Sequence, residues 1–261
     1  MATRVRNTPR DVGCPTYSRA EFFTRIWFYK PGEAVTALCP YGGGKTQLML
    51  EALEHTAREK LPATLLVMKP RDKTISRFIA AHKEATRTVR DWPPTQVGWF
   101  SRLFSRGPSF WVLWPVETGD PEADEARHTA IFRRCLRMSY VAGGKRGKKH
   151  RDSIVFADET FSLEQEMGLT PELRRIWTKG RSLGVGLWAA TQRPAFISKW
   201  AYQAQHIFIG NDSDLDTQKR YGEIGANFDP VVVRDLVAGL KPFQFLYISR
   251  EDRSMCIVDA S

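Results

Sequence analysis

The sequence predicts an α/β fold: a mostly parallel central sheet flanked by helices, with a β-hairpin at the C-terminus. Three observations carry that expectation. The β-branched and apolar run Val35–Leu38 feeds a loop of three glycines, Gly42, Gly43 and Gly44, and a helix-forming run over residues 48–60 follows. Apolar runs of strand length alternate along the chain with runs of helical character, the pattern that parallel sheets with crossover helices produce. Two of the apolar runs, Ser153–Ala157 and Val185–Thr191, end abruptly in polar residues, Asp158-Glu159 and Gln192. In sheets of this kind ligands gather at the carboxyl ends of the strands.

Taken in order, residues 1–16 are polar, basic and proline-containing, and are expected to form a flexible arm carrying Arg4, Arg6 and Arg10 ahead of a single domain over 17–261. Aromatics then accumulate, Phe22, Phe23, Trp27, Phe28 and Tyr29, before the Pro31-Gly32 turn. They are expected to pack on the sheet, although a nucleotide base also needs a flat apolar surface. Residues 63–68 read as a buried second strand, followed by a helix to about residue 85. Residues 86–109 are the least legible part of the chain, and 110–114 is a strand candidate. Residues 122–141 form a helix with acids in its first turn and Ile131, Cys135, Leu136 and Met138 near one face. A glycine-spaced basic cluster, 143–151, precedes the strand that ends in Asp158-Glu159. A helix over 171–182 leads into Val185–Thr191, residues 206–209 form another strand, and 243–249 and 255–258 flank Glu251-Asp252 as a hairpin. Trp111, Trp114 and Trp188 fall in strands and are expected in the core.

Composition narrows the function classes. A chain of 261 residues with 42% hydrophobic and 26% charged residues can bury a substantial core. A formal net charge of +10 points to a polyanionic partner, and nucleic acid rewards Lys and Arg through counterion release. Cys14, Cys39, Cys135 and Cys256 are scattered, which indicates neither a zinc site nor a disulfide framework and favours a reducing compartment. No apolar run approaches the length of a membrane span and no signal segment is visible, so a cytoplasmic, membrane-free protein is expected.

The chemistry is concentrated in a few places. Strand, glycine loop and helix is the context of a phosphate-binding P-loop, which makes Pro40, Tyr41, Gly42, Gly43, Gly44, Lys45, Thr46 and Gln47 the expected nucleotide contacts. Glycines let backbone N–H groups approach phosphate oxygens, and the helix N-terminus favours anions. Lys45 can reach the β- and γ-phosphates, and Thr46 can offer a hydroxyl to Mg²⁺. Cys39 stands where the G-x-x-x-x-G-K-[ST] pattern has its first glycine. If strands 35–38, 153–157 and 185–191 lie side by side, their ends bring Asp158 to the metal, Glu159 to the attacking water and Gln192 between that water and the γ-phosphate.

The words CPYGGGKT, IVFADE and TKGRSLGVGLWAATQRP resemble the Walker A, Walker B and sensor regions of the FtsK/HerA superfamily of P-loop ATPases, and within it the small viral genome-packaging ATPases. The likeness spans about residues 30–250, and the GR…ATQRP segment is its most specific part. That resemblance implies an additional-strand, catalytic-glutamate (ASCE) sheet of order 5-1-4-3-2. It also implies a ring of five or six subunits around double-stranded DNA, with hydrolysis of Mg²⁺-bound ATP coupled to translocation. A portal or capsid partner and a host-cytoplasmic location would follow. By the same resemblance Arg181 matches an arginine reaching a neighbour's γ-phosphate, with Arg174 and Arg175 as competitors, and Lys145, Arg146, Lys148 and Lys149 face a central channel. Three other readings stay open. An assembly or extrusion ATPase of the same superfamily is one. A small P-loop kinase is another, against which Glu159 and the GR…ATQRP segment count. The third is a scaffold that binds ATP and hydrolyses it poorly, which Cys39 keeps in play.

Overall fold

Side chains alternate across a strand, and here both faces of the strands are apolar, so each face needs its own layer of helices. The computed structural model, which describes residues 13–94, 107–144, 151–225 and 227–260, has that three-layer form. Its ten strands are β1 (Thr16–Ser18), β2 (Val35–Leu38), β3 (Ala63–Leu66), β4 (Thr86–Val89), β5 (Phe110–Leu113), β6 (Ser153–Ala157), β7 (Val185–Thr191), β8 (His206–Gly210), β9 (Phe245–Ser249) and β10 (Ser254–Asp259). They form one sheet in the order β1-β10-β9-β8-β2-β7-β6-β3-β5-β4. All pairings are parallel except those of β9 with β8 and β10.

The central run β8-β2-β7-β6-β3, counted along the chain, is the expected order 5-1-4-3-2. The whole sheet departs from that order because it is longer at both edges. β5 and β4 extend it beyond β3, while the hairpin β9-β10 and the edge strand β1 extend it beyond β8. The C-terminal hairpin is present as expected. β4, with the sequence TRTV, and β1, with TYS, are too short and polar to announce themselves as strands.

Under one face lie α1 (Lys45–Thr56) and α2 (Lys73–Ala81), whose Leu48, Met49, Leu53, Ile75 and Phe78 pack with Ile154, Phe156, Trp188 and Phe208. The opposite face carries α3 (Pro121–Gly143) and α4 (Thr170–Leu183), whose Phe132, Leu136, Leu173 and Ile176 meet Val155, Ala157, Val185 and Leu187. On that same face α5 (Pro230–Gly239) covers Ile207, Ile209, Leu246 and Ile248. Successive residues of β6 therefore serve opposite layers.

Some expectations change in detail. α1 stops at Thr56, four residues short of residue 60, because Arg58 and Leu61 close a bridged turn ahead of β3. α2 stops at Ala81 rather than near 85, and the chain turns through 83–85 into β4. Met138 is 41% exposed, since the buried stripe of α3 runs through Ile131, Cys135 and Ser139 and passes it by. Phe22 and Phe23 are buried on the sheet, with Phe22 and Tyr247 ring centroids 4.8 Å apart, whereas Phe28 is exposed. Trp188 is fully buried, and Trp114 is partly buried against the same layer. Beneath the aromatics, buried His206 bridges the Glu33 carboxylate (3.0 Å) and the Tyr247 hydroxyl (2.7 Å), tying the start of β2 to β8 and β9.

Candidate nucleotide-binding site

β2, β7 and β6 are neighbours in register, with Leu38 opposite Thr191 and Ala157 opposite Ala189, so all three end at one edge of the sheet. At that edge β2 turns through Cys39 into the glycine loop. Gly42 (φ 78°) and Gly44 (φ 85°) hold left-handed backbone that favours glycine. A Cβ on Gly42 would project into open space, whereas one on Gly43 would overlap the Cys39 sulfur. The thiol thus fills the room that Gly43 leaves, which is how a cysteine fits the first position of the loop. Gly44 is the N-cap of α1 and offers no side chain, so the N–H groups of the helix's first turn are left without a side-chain acceptor at the mouth of the loop. A loop with no Cβ in the way and amides at a helix N-terminus fits a polyphosphate.

Lys45, the first residue of α1, is 5% exposed. Burial pushes its ammonium below the usual lysine range, and the neighbouring Asp158 and Glu159 carboxylates oppose that fall. The Thr46 hydroxyl donates to Asp158 Oδ1 at 2.7 Å, across 112 residues of sequence. Hydroxyl and carboxylate oxygens side by side are the donors a hard divalent cation takes, and the pair fits Mg²⁺. Glu159 accepts from the Thr191 hydroxyl at 3.1 Å and from the Gln192 backbone N–H at 3.5 Å. Burial raises its carboxyl above the usual glutamate range, against the lowering effects of the Thr191 hydrogen bond and Lys45. A carboxylate of raised basicity beside a buried lysine can take a proton from water. Gln192 itself lies at the end of β7, half-buried.

Three residues of this edge escaped the sequence reading. Lys69 follows β3, and its Nζ lies 3.5 Å from Asp158 Oδ2 and 3.8 Å from Asp72 Oδ2. Thr191 holds Glu159 through its hydroxyl, which in turn accepts the Arg193 backbone N–H at 3.1 Å. The Arg193 guanidinium sits 4.7 Å over the Phe161 ring, just beyond the acid pair. The available signal was positional: each lies at or just beyond the carboxyl end of a parallel strand.

Of the other expected residues, Pro40 and Tyr41 form the loop's rim, Tyr41 at 86% exposure, and Gln47 donates to Glu51 Oε1 at 2.9 Å. Arg181 lies elsewhere. It belongs to the last turn of α4, at the amino edge of the sheet, where its Nη2 donates to both oxygens of Glu251 at 3.1 and 3.2 Å. Arg174 is stacked 4.9 Å over Trp200, and Arg175 is exposed. Lys145, Arg146, Lys148 and Lys149 lie outside the described residues.

No family model matches the sequence, and no curated protein sequence matches it. Solved structures do match. The DNA-packaging ATPase B204 from Sulfolobus turreted icosahedral virus superposes with a TM-score of 0.58 at 16% identity, over 89% of this chain and 100% of that one. The chain has the fold of a viral packaging P-loop ATPase. The genome packaging NTPase B204 from Sulfolobus turreted icosahedral virus 2 matches with a TM-score of 0.56 in complex with AMPPCP, at 15% identity over 88% of this chain and 99% of that one. In complex with ATP-gammaS it matches with a TM-score of 0.57, at 14% identity over 89% and 100%. These neighbours are of the kind that the P-loop and GR…ATQRP words indicate. Among the described residues no helix is long and apolar enough to cross a membrane.

Proposed function

We propose that this chain is a Mg²⁺-dependent ATPase that drives double-stranded DNA, the motor subunit of a viral genome-packaging machine. The observation that carries the reading is the meeting of Thr46 with Asp158 at 2.7 Å beside buried Lys45, with Glu159 next in the chain. The loop and Lys45 hold the phosphates, Thr46 and Asp158 hold the cation, and Glu159, aligned by Thr191, orients and deprotonates the attacking water. Held by Thr46 and Asp158, Mg²⁺ would supply positive charge to offset the negative charge that develops during phosphoryl transfer. Gln192, at the end of the strand next to Glu159, relays the state of the γ-phosphate along that edge.

Residues 17–261 act as one ATPase domain and work in a ring of five or six in the host cytoplasm. Arg181 is half-exposed at the edge of the sheet opposite Lys45, which supports a role at a neighbour's site rather than its own. Lys145, Arg146, Lys148 and Lys149 contact the DNA backbone without reading sequence, in keeping with the net charge of +10. A portal or capsid protein would anchor the ring. A small-molecule kinase has no use for the Thr191-held Glu159, and Glu159→Gln separates the two: the motor variant binds ATP and stalls, whereas a kinase keeps most of its turnover. The direct test is ATPase rate against protein concentration, with and without double-stranded DNA. A steep rise with both is expected; a rate per subunit independent of both overturns the motor.

A further inference from the structure

On either side of β2 the sheet carries different equipment. Asp158 and Glu159 follow β6, two strands away across β7; the turn 241–244 leads into β9, two strands away across β8 on the other side. β9 is antiparallel to β8 with Phe245 opposite Gly210, so this turn lies at the same edge as the glycine loop. A nucleotide laid along the loop with its terminal phosphate toward the acids points its other end at this turn.

What waits there is a ring. Gln244 N–H donates to the Lys241 carbonyl at 3.1 Å, and Gln244 Oε1 accepts from Lys241 N–H at 2.9 Å, closing a four-residue turn with Pro242 second and Phe243 third. Phe243 has φ 65°, at a turn position where glycine is ordinarily found. A bulky side chain held in left-handed backbone is uncommon, and this one is 51% exposed, so burial does not account for it. The ring lies against the loop: a Cβ on Gly44 would sit 3.0 Å from Phe243 Cδ1. Arg19 flanks the same glycine at 4.0 Å and is held by two hydrogen bonds to Glu51.

We propose that Phe243 is the platform on which the nucleobase stacks, beside the rim formed by Arg19, Glu51 and Gln47. The inference rests on the nucleotide-binding reading and adds a base subsite to it. Stacking on a phenyl ring uses the π-face that every base has, so the subsite accepts adenine and guanine nucleotides with similar affinity.

Binding of ATP, GTP and inorganic tripolyphosphate, which lacks a base, is to be measured on the full chain and on Phe243→Gly, Phe243→Trp and Tyr41→Ala. Phe243→Gly suits the backbone, so it removes the ring without endangering the fold. ATP and GTP should each bind about tenfold more weakly to Phe243→Gly while tripolyphosphate stays within about twofold, and Phe243→Trp should restore both nucleotides. Unchanged ATP affinity in Phe243→Gly, an equal loss for tripolyphosphate, or a base-dependent loss at Tyr41→Ala alone overturns the platform. If the unmodified chain binds neither ATP nor tripolyphosphate, the nucleotide reading itself fails and takes this inference with it.

Discussion

Cys39 is where the loop departs from its usual pattern, and its environment explains how. Its sulfur sits in space vacated by Gly43 on one side and Gly210 on the other, so the three residues form one packing unit. Gly43→Ala in the native background should therefore lower both thermal stability and nucleotide binding, and Cys39→Gly on top of it should restore both; a purely additive pair of losses in melting and titration experiments would contradict this coupling. Burial also pushes the Cys39 thiol up to about 11, so it remains protonated at neutral pH and should react with iodoacetamide only after unfolding. Glu159 and Lys45 set the pH response. Glu159 is raised, so its ionised form is lost as pH falls through a value above the ordinary glutamate range; Lys45 is lowered, so its charge is lost as pH rises through a value below the ordinary lysine range. The ATPase pH profile should accordingly be a bell narrower at both limbs than unperturbed groups would give, measured as kcat/KM. The raised carboxyl also binds its proton more tightly folded than unfolded, so it subtracts stability as pH rises through the interval between the two values. Glu159→Gln removes that loss while keeping an acceptor for Thr191, and its melting temperature should exceed the native one by a margin that widens with pH across that interval.

At the scale of elements, α4 and β7 are welded by close approach. A Cβ on Gly180 would overlap the Val185 carbonyl, and Gly184, with φ 67°, ends the helix in left-handed backbone. Gly180 and Gly184 thus serve the junction that delivers Thr191 and Gln192 to one end of β7 and leaves Arg181 at the other. Gly180→Ala should destabilise the protein by about 1–3 kcal/mol through overpacking, read as a shifted urea midpoint with unchanged slope. The polar bridge from Glu33 through His206 to Tyr247 plays a similar part on the other side of β2. It fixes β8 and β9 to the P-loop strand and so fixes where the turn bearing Phe243 meets Gly44.

For the whole molecule, the deciding fact is that the expected finger and the nucleotide site occupy opposite edges of one sheet. A single chain cannot bring them together, so the proposed finger role requires a neighbouring subunit. Arg181→Ala should leave ATP affinity intact and lower kcat by roughly a thousandfold, the lower end of what an arginine finger contributes. Lys45→Ala should be inactive for lack of a phosphate ligand. Mixed, the two dead variants should regain activity, since Lys45→Ala subunits present an intact Arg181 to the intact loops of the other variant; a mixture as inactive as its parts would remove Arg181 from the trans role. The Arg181 pair with Glu251 is half-exposed and contributes little to stability.

The sequence alone determined the glycine loop, the acid pair at a strand end, the buried strands and the hairpin, because each is written in a dozen contiguous residues whose periodicity or turn chemistry suffices. The resemblance implied the central strand order, but tertiary structure decided the outer pairings and the side-chain contacts between strands. Only the placement of β7 between β2 and β6 sets Thr46 2.7 Å from Asp158, brings Lys69 to the same carboxylate and lets Thr191 hold Glu159. It likewise made strands of TYS and TRTV, whose local preference is weak and whose pairing with β10 and β5 supplies the missing energy. The reason is physical: hydrogen bonding between strands joins residues far apart in the chain, and no short window of sequence records which partner a strand will find.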